Sequence, residues 1–519
     1  MNKEGIKITT IHNDEELFLL TEEMKTTMLE AAARDKKKEK ELTGNIEAEQ
    51  SDNFRDYNQD QTFFITVSKE GFIEENHPAV IINTIIERLN LENLYATYSK
   101  EGNKAYHPKM MLKILFYAYY CRIMTSRTIW KNVINRCDFI YLAAGQVPNF
   151  RTINAFRLRH FSVLPGIFSQ IVMLCRELDM IGMDHLAIDG EKIQANANFK
   201  KSKNLSQVKA ELEKLEKGIK NLLEQEVNEV TTEEKVNKRI NKLSKKISKL
   251  QSLEKQLEEI GDEKKRINLT DPDAPVMKHK DSRSRPSYNH QTARDEKCGV
   301  VTAVETTLSG DVPDDLLPLV NKSIENTGAR HKHITADSGF QSYANLEKME
   351  TRPEDFFVPD RRYKSTDENN DKKKFTQEKF TKNEDGTYNC PGGKVMKKIR
   401  TITTKDGEEA IIYETETCWN CMIKGMCTSG QKRQIVVDVR EPLREKMRDK
   451  LKTDFGREMY MKRQGLIEPI HGDDQKNSGW IQHLLRGYWK AKGEFMLIRL
   501  VNNLRSIIKH RGAEIMAFA

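Results

Sequence analysis

The sequence predicts a mixed α/β protein: a small sheet-bearing core, set between helical segments and split by a long helical pair. Three observations predict it. Short apolar runs end at Asp189 and at Asp337 and read as strands with polar ends. The segments before residue 180 and after residue 446 repeat apolar residues at helical period. Between the strand runs, Val208, Leu212, Leu215, Ile219 and Leu222 step by four, three, four and three, the seam of a coiled coil.

In chain order, residues 1–70 read as a poorly structured segment. The stretch 34–60 is charged, carries Gln and Asn and has few large apolar residues, with a short helix around 15–33 before it. Residues 71–180 read as a helical domain. Val80, Ile81, Ile85, Ile86 and Leu89 fit one apolar face, and Pro108 opens a helix carrying Met111, Leu112, Ile114, Leu115 and Tyr119. A further helix is expected over 126–142. Gly145, Pro148 and Asn149 then break the chain, and another helix starts near Thr152. That second helix is rich in arginine. The pair resembles a helix-turn-helix, with Arg151, Arg157 and Arg159 as candidate DNA contacts; the alternative is an ordinary bundle.

Residues 181–199 and 268–360 read as the sheet-bearing core. Strands are expected at 184–192, 288–294, 299–307, 333–336 and 356–359, with helices at 314–327 and 343–349. The order is strand, insert, strand, strand, helix, strand, helix, strand, which implies a mixed sheet. Residues 200–267 form the insert. Ile240, Leu243, Ile247, Leu250 and Leu257 continue the heptad frame, so the helices fold back as an antiparallel hairpin, an interaction or spacer arm. Residues 361–445 are Lys/Asp/Asn-rich at first and then cysteine-bearing. Residues 446–519 are helical again.

The chain has 519 residues, 37% hydrophobic and 32% charged, too long for one ordinary core. Its net charge of +8 is unevenly spread. Residues 1–60 carry 9 basic and 15 acidic side chains, whereas 121–160 and 481–511 each carry 7 basic and 1 acidic. Two basic blocks suggest a polyanion such as DNA; the alternative is that Lys and Arg solvate helix faces. There is no apolar leader at the start and no run long enough to span a bilayer, so no membrane partner is expected. The eight cysteines are scattered through a long chain, which suits a reducing cytoplasm.

The chemistry rests on carboxylates. A carboxylate at the end of a strand projects from the sheet edge, and two neighbouring strands can aim two of them at one point. Mg²⁺ or Mn²⁺ prefers such oxygen donors, and a pair of ions activates a nucleophile while stabilising a leaving oxygen. Asp189 and Asp337 have that placement, and Glu468, before Pro469, is the candidate third acid. Either Asp in isolation reads equally as a turn or cap residue.

Ordered motifs then point to a family. His185-Leu-Ala-Ile-Asp-Gly-Glu-Lys192 resembles the first catalytic motif of DDE transposases of bacterial insertion sequences, and Ile334-Thr-Ala-Asp-Ser-Gly-Phe340 resembles the second. Tyr460, Arg463 and Glu468 resemble the tyrosine–arginine–glutamate–lysine signature of one branch. Tyr106-His-Pro-Lys, Thr270-Asp-Pro-Asp-Ala, Phe357-Val-Pro-Asp and Leu485-Arg-Gly add to the match. The resemblance covers roughly residues 70–510. It implies an RNase H-like catalytic core, two Mg²⁺ or Mn²⁺ ions held by Asp189, Asp337 and Glu468, and terminal inverted repeats as substrate. It also implies DNA contacts from Tyr460, Arg463 and Lys476 and a homodimer on DNA. The signature is imperfect here: four residues, not three, separate Arg463 from Glu468, and Lys476 falls one position late.

A second constellation is Cys390, Cys418, Cys421 and Cys427. Cys418-x-x-Cys421 has zinc-knuckle spacing, and the outer two could complete a tetrahedral thiolate site; unliganded thiols are the alternative. Cys121, Cys137, Cys175 and Cys298 read as core residues. Three functions compete: a transposase that cuts DNA and transfers strands, another nuclease with the same core, and a non-catalytic DNA-binding scaffold. All three acids being present argues against the last.

Overall fold

The computed structural model describes residues 73–98, 104–224, 233–310, 313–360, 377–404, 407–477 and 479–517, together with Tyr363 and Phe375. The expected N-terminal segment 1–70, with its short helix, and 364–374 of the Lys/Asp/Asn-rich stretch lie outside the described residues.

The N-terminal helices are α1 (Pro78–Arg88), α2 (Glu92–Tyr95), α3 (Pro108–Tyr120), α4 (Ser126–Asn135), α5 (Cys137–Leu142), α6 (Phe150–Arg159) and α7 (Leu164–Glu177). Proline occupies the first turn of α1 and α3, where its missing N–H has no intrahelical partner to lose. The single helix expected over 126–142 is two. Arg136 adopts extended backbone between α4 and α5, and its guanidinium pairs with Asp138, which also accepts a 2.6 Å bond from the Tyr117 hydroxyl. Asn149 caps α6 by accepting from Arg151 N and Thr152 N.

The sheet is built on β1 (His185–Gln194). The short pair β2 (Ser202–Lys203) and β3 (Ile267–Asn268) closes the base of two long helices, α8 (Leu205–Glu224) and α9 (Glu233–Ile260). These pack on their own cluster of Val208, Leu212, Leu250, Leu253 and Leu257. Then come β4 (Val276–Lys278), β5 (Ser284–Asp295), β6 (Val301–Thr307), α10 (Leu316–Thr327), β7 (His333–Ala336), α11 (Tyr343–Glu350) and β8 (Asp355–Phe357). β5 runs antiparallel to β1 and to β6, whereas β7 is parallel to β1 and β8 parallel to β7. The order across the sheet is β6-β5-β1-β7-β8, with β4 also on β5. Leu186, Ile188, Ile334, Ala336 and Phe357 pack with Leu316 and Val320 of α10 on one side.

A second antiparallel sheet orders β13-β12-β11-β10-β9, from β9 (Thr381–Lys382), β10 (Tyr388–Asn389), β11 (Val395–Thr403), β12 (Glu409–Glu414) and β13 (Gln434–Asp438), with the short α12 (Lys424–Cys427) before β13. Helices α13 (Glu441–Lys452), α14 (Asp454–Gly472) and α15 (Tyr488–Ala517) finish the chain. α15 does not stay with the sheet. Phe495, Leu497, Val501 and Leu504 share one core with Ile81, Leu112, Phe116 and Ile171 of the N-terminal helices and with Val301 and Val304 of β6. Gly493 permits the approach: a Cβ there would lie 2.3 Å from the Phe161 ring.

Candidate active site

The site follows from the period of two along a strand and from the parallel register of β1 and β7, in which Ile188 pairs with Ala336. Asp189 and Asp337, the next residues, therefore stand side by side at the same level; Asp337 follows the end of β7, but Asp189 is not at a strand end as expected, because pairing with β5 carries β1 on to Gln194. Asp189 and Glu191 share one face of β1 because they are two residues apart. Asp337 ends its strand by capping a short turn, accepting from Gly339 N at 2.8 Å.

Helix α14 crosses the sheet at these two acids. Thr453 caps it, accepting from Gly456 N at 3.0 Å. The helix runs through Pro469, which therefore does not open a helix as its sequence position suggests; it sits in the last turn, and a π-turn over 473–477 follows. Tyr460, Arg463, Ile467 and His471 recur at three and four residues and line one face. Arg463 forms an ion pair with Asp189 at 2.8 Å and donates to the Ile188 carbonyl at 3.3 Å. His471 lies between two acids, with Nε2 3.4 Å from Asp189 and Nδ1 2.9 Å from Glu191. Behind them, the fully buried Arg499 of α15 stands 2.6 Å from Asp474 and 3.6 Å from Glu191. No aligned hydrogen bond accompanies the Arg499–Asp474 approach, so charge holds that pair.

Three acids thus face three cations, and the electrostatics follow. Burial opposes ionisation of Asp189, but His471 and Arg463 outweigh it and hold the carboxyl below its usual range. Glu191 behaves alike, burial being outweighed by His471 and Arg499. Burial works against the His471 imidazolium, yet the neighbouring Asp189 and Glu191 carboxylates raise its pKa to about 9. Asp337 differs: burial and then the charge of Asp189 push it upward. Two carboxylates that repel each other across a strand pair form a donor set that a hard cation suits.

Glu468 is exposed, one turn before His471, and accepts from Gln464 at 2.8 Å. Lys476 is exposed in the π-turn. Tyr460 is half-buried, its ring edge-on to Tyr363 at 5.3 Å. Arg151 and Arg159 are exposed on α6, but Arg157 is not available to DNA: it is 4% exposed, with its guanidinium donating to the Tyr119 hydroxyl, the Met124 carbonyl and Asn154. Its place on the inward face of α6 makes it a core residue. Of the four cysteines read as core, only Cys175 is buried; Cys121, Cys137 and Cys298 are partly exposed.

The sequence reading missed Glu191, His471, Asp474 and Arg499. Glu191, His471 and Asp474 can bring one ligand atom each within 4.8 Å of one another. Arg499 already supplies positive charge there. Glu191 could have been found from its same-face spacing to Asp189, and His471 from its helical spacing to Arg463; nothing local marks Arg499.

Residues 67–159 match the family model described as transposase domain (DUF772), and residues 389–508 match the one described as transposase DDE domain. The second span contains all of α14. The two matches support a DDE-type transposase of insertion sequences. Asp189 and Asp337 lie outside both matched spans; Tyr460, Arg463, Glu468, His471 and Lys476 lie inside the second. No curated protein and no solved structure matches the chain. Transposases act on DNA, which supports DNA as the partner. Among the described residues no single helix is long and apolar enough to cross a membrane, and only the pair Phe150–Arg159 and Phe161–Glu177, bent by 44°, passes that test jointly.

Proposed function

We propose that this transposase binds the terminal inverted repeats of an insertion sequence, cuts at the element ends and joins the freed 3′ ends to target DNA. The observation that carries the reading is the side-by-side placement of Asp189 on β1 and Asp337 just past β7, two adjacent parallel strands, with α14 laid across them. The sheet order β6-β5-β1-β7-β8 supports an RNase H-like core. Asp189, Asp337 and Glu468 would hold two Mg²⁺ or Mn²⁺ ions, which when bound supply Lewis acidity to the attacking and leaving oxygens. The repulsion between Asp189 and Asp337 supports that donor set.

The chain's own side chains do the rest. Arg463 and His471 neutralise Asp189 and fix its orientation, and a guanidinium released from Asp189 can grip a phosphate bidentately. Lys280, in the β4–β5 turn, lies near enough to Asp337 for its charge to favour the carboxylate. Further along that hairpin, Arg283 and Arg285 line a cavity of about 570 Å³ with Lys201, Arg486 and Gln194, the last residue of β1. This basic floor leads from the acids to the foot of the helical pair, a path suited to a DNA backbone. Two element ends call for two chains, so a homodimer on DNA is the working assembly. Eight free cysteines suit the cytoplasm.

The test uses a supercoiled plasmid carrying the element's ends, with Mg²⁺. Asp189→Asn and Asp337→Asn should each slow nicking and joining by more than ~100-fold, since a lost ligand costs more than a lost outer partner. Gel shift on the same DNA should be retained and salt-dependent. Wild-type cleavage rates in Asp189→Asn would refute the metal reading. Binding without cleavage by the wild type under any divalent ion would leave the scaffold reading instead.

A further inference from the structure

The cysteine-bearing sheet has a core too thin for its size. Its buried cluster consists of Phe380, Tyr388, Met396, Tyr413, Cys427, Ile435 and Val437. Only Met396 is buried among the nine residues of β11. A sheet so poorly covered needs a staple, and a structural metal is one of the few that a small unit can use.

Four cysteines line one cavity where that staple would sit. Cys390 ends the β9–β10 side and starts a turn in which Gly393 takes φ +71°, a conformation that favours glycine. Cys418 and Cys421 flank a short helical turn, and Cys427 ends α12. All four line one cavity of about 20 Å³, room for a single atom-sized guest. A Cβ on Gly392 would lie 3.4 Å from the Cys421 sulfur and 3.7 Å from that of Cys390, so those two flank one point.

The surroundings suit thiolates. Lys394 N donates to the Cys390 sulfur at 3.4 Å, and Arg433 N donates to the Cys418 sulfur at 3.4 Å. Such N–H···S bonds favour the anion. Lys424 and Arg433 line the same cavity and would offset the double negative charge of four thiolates around a divalent ion.

We infer that Cys390, Cys418, Cys421 and Cys427 bind one structural Zn²⁺ that holds the second sheet together. Four sulfur donors and no open position mark a structural site, because catalytic zinc keeps a place for water. Each thiol releases its proton to solvent as the Zn–S bond forms, with no change of oxidation state. The site is independent of the acids on β1 and β7 and stands whether or not the protein cuts DNA.

The experiment is metal analysis of the full-length protein purified under reducing conditions without added metal, with X-ray absorption on the same sample. About one zinc per chain, with sulfur neighbours at about 2.3 Å, is expected. Cys418→Ser with Cys421→Ser should carry none, whereas Cys137→Ser, at the start of α5, should keep it. If the double variant does not fold, cobalt replacement in the wild type answers the question, through the visible absorption of a tetrahedral thiolate site. Zinc-free wild type with four freely titrating thiols, or a disulfide among the four, would overturn the inference.

Discussion

Arg157 and Arg159 lie two positions apart on one short helix and do opposite things. Arg159 faces solvent, while Arg157 turns inward and ties α6 to Tyr119 and to the carbonyl of Met124. Arg157→Ala should therefore lower stability by about 3 kcal/mol, because it leaves a void and strands buried acceptors. It should leave the salt dependence of DNA binding unchanged. Arg151→Ala with Arg159→Ala should do the reverse: stability within about 0.5 kcal/mol, and a salt slope shallower by about 2 if both touch phosphate. Thermal melts and gel shifts across a salt series separate the two. Composition revealed an arginine-rich helix; which arginine pointed outward depended on what α6 packs against.

At the scale of the element, α10 starts badly. Asp315 stands at its N-cap position but makes no capping bond, and its Oδ2 is buried without a partner. Burial, then Glu305 and Asp314, push its pKa up to about 6. The folded value lies above the unfolded one, so the protonated form is favoured in the fold. That stability is fully present below pH ~4 and is lost as pH rises through about 6. Asp315→Asn should stabilise the fold at pH 7–8, by on the order of 1 kcal/mol after allowing for solvent screening at a half-buried site, as read by denaturant melts. It should have little effect at pH 4. An equal gain at both pH values would show that charge is not the cause. Elements with strong periodicity, α3 and the α8–α9 pair among them, were legible in the sequence because their own side chains specify the buried face. The break at Arg136 and the passage of α14 through Pro469 were not, since each depends on partners elsewhere in the chain.

Over the whole molecule, packing divides unequally. One core runs from α1 through β6 to α15, so helical segments far apart in sequence share a single interior. The α8–α9 pair keeps its own cluster and returns the chain to its point of departure through β2 and β3. Deleting Leu205 to Ile260 should then shift the melting point of the remainder by no more than about 4 °C. Pairing of two DNA ends should suffer far more, as read by native gels of two-ended complexes. Collapse of the entire fold on deletion would show the arm to be part of the core.

The sequence alone determined the mixed α/β order, the heptad arm, the position of Asp337 just past a strand and the grouping of four cysteines, because those features are written in local period and spacing; that β1 runs on through Asp189 to Gln194 depended on its pairing with β5. Only the tertiary structure decided which charges meet. Glu191, His471, Asp474 and Arg499 come from three distant stretches of chain, and their balance of charge exists only once α14 and α15 cross β1. The same holds for Arg157: burial is a property of the partner surface, and no periodicity in ten residues of α6 can state it.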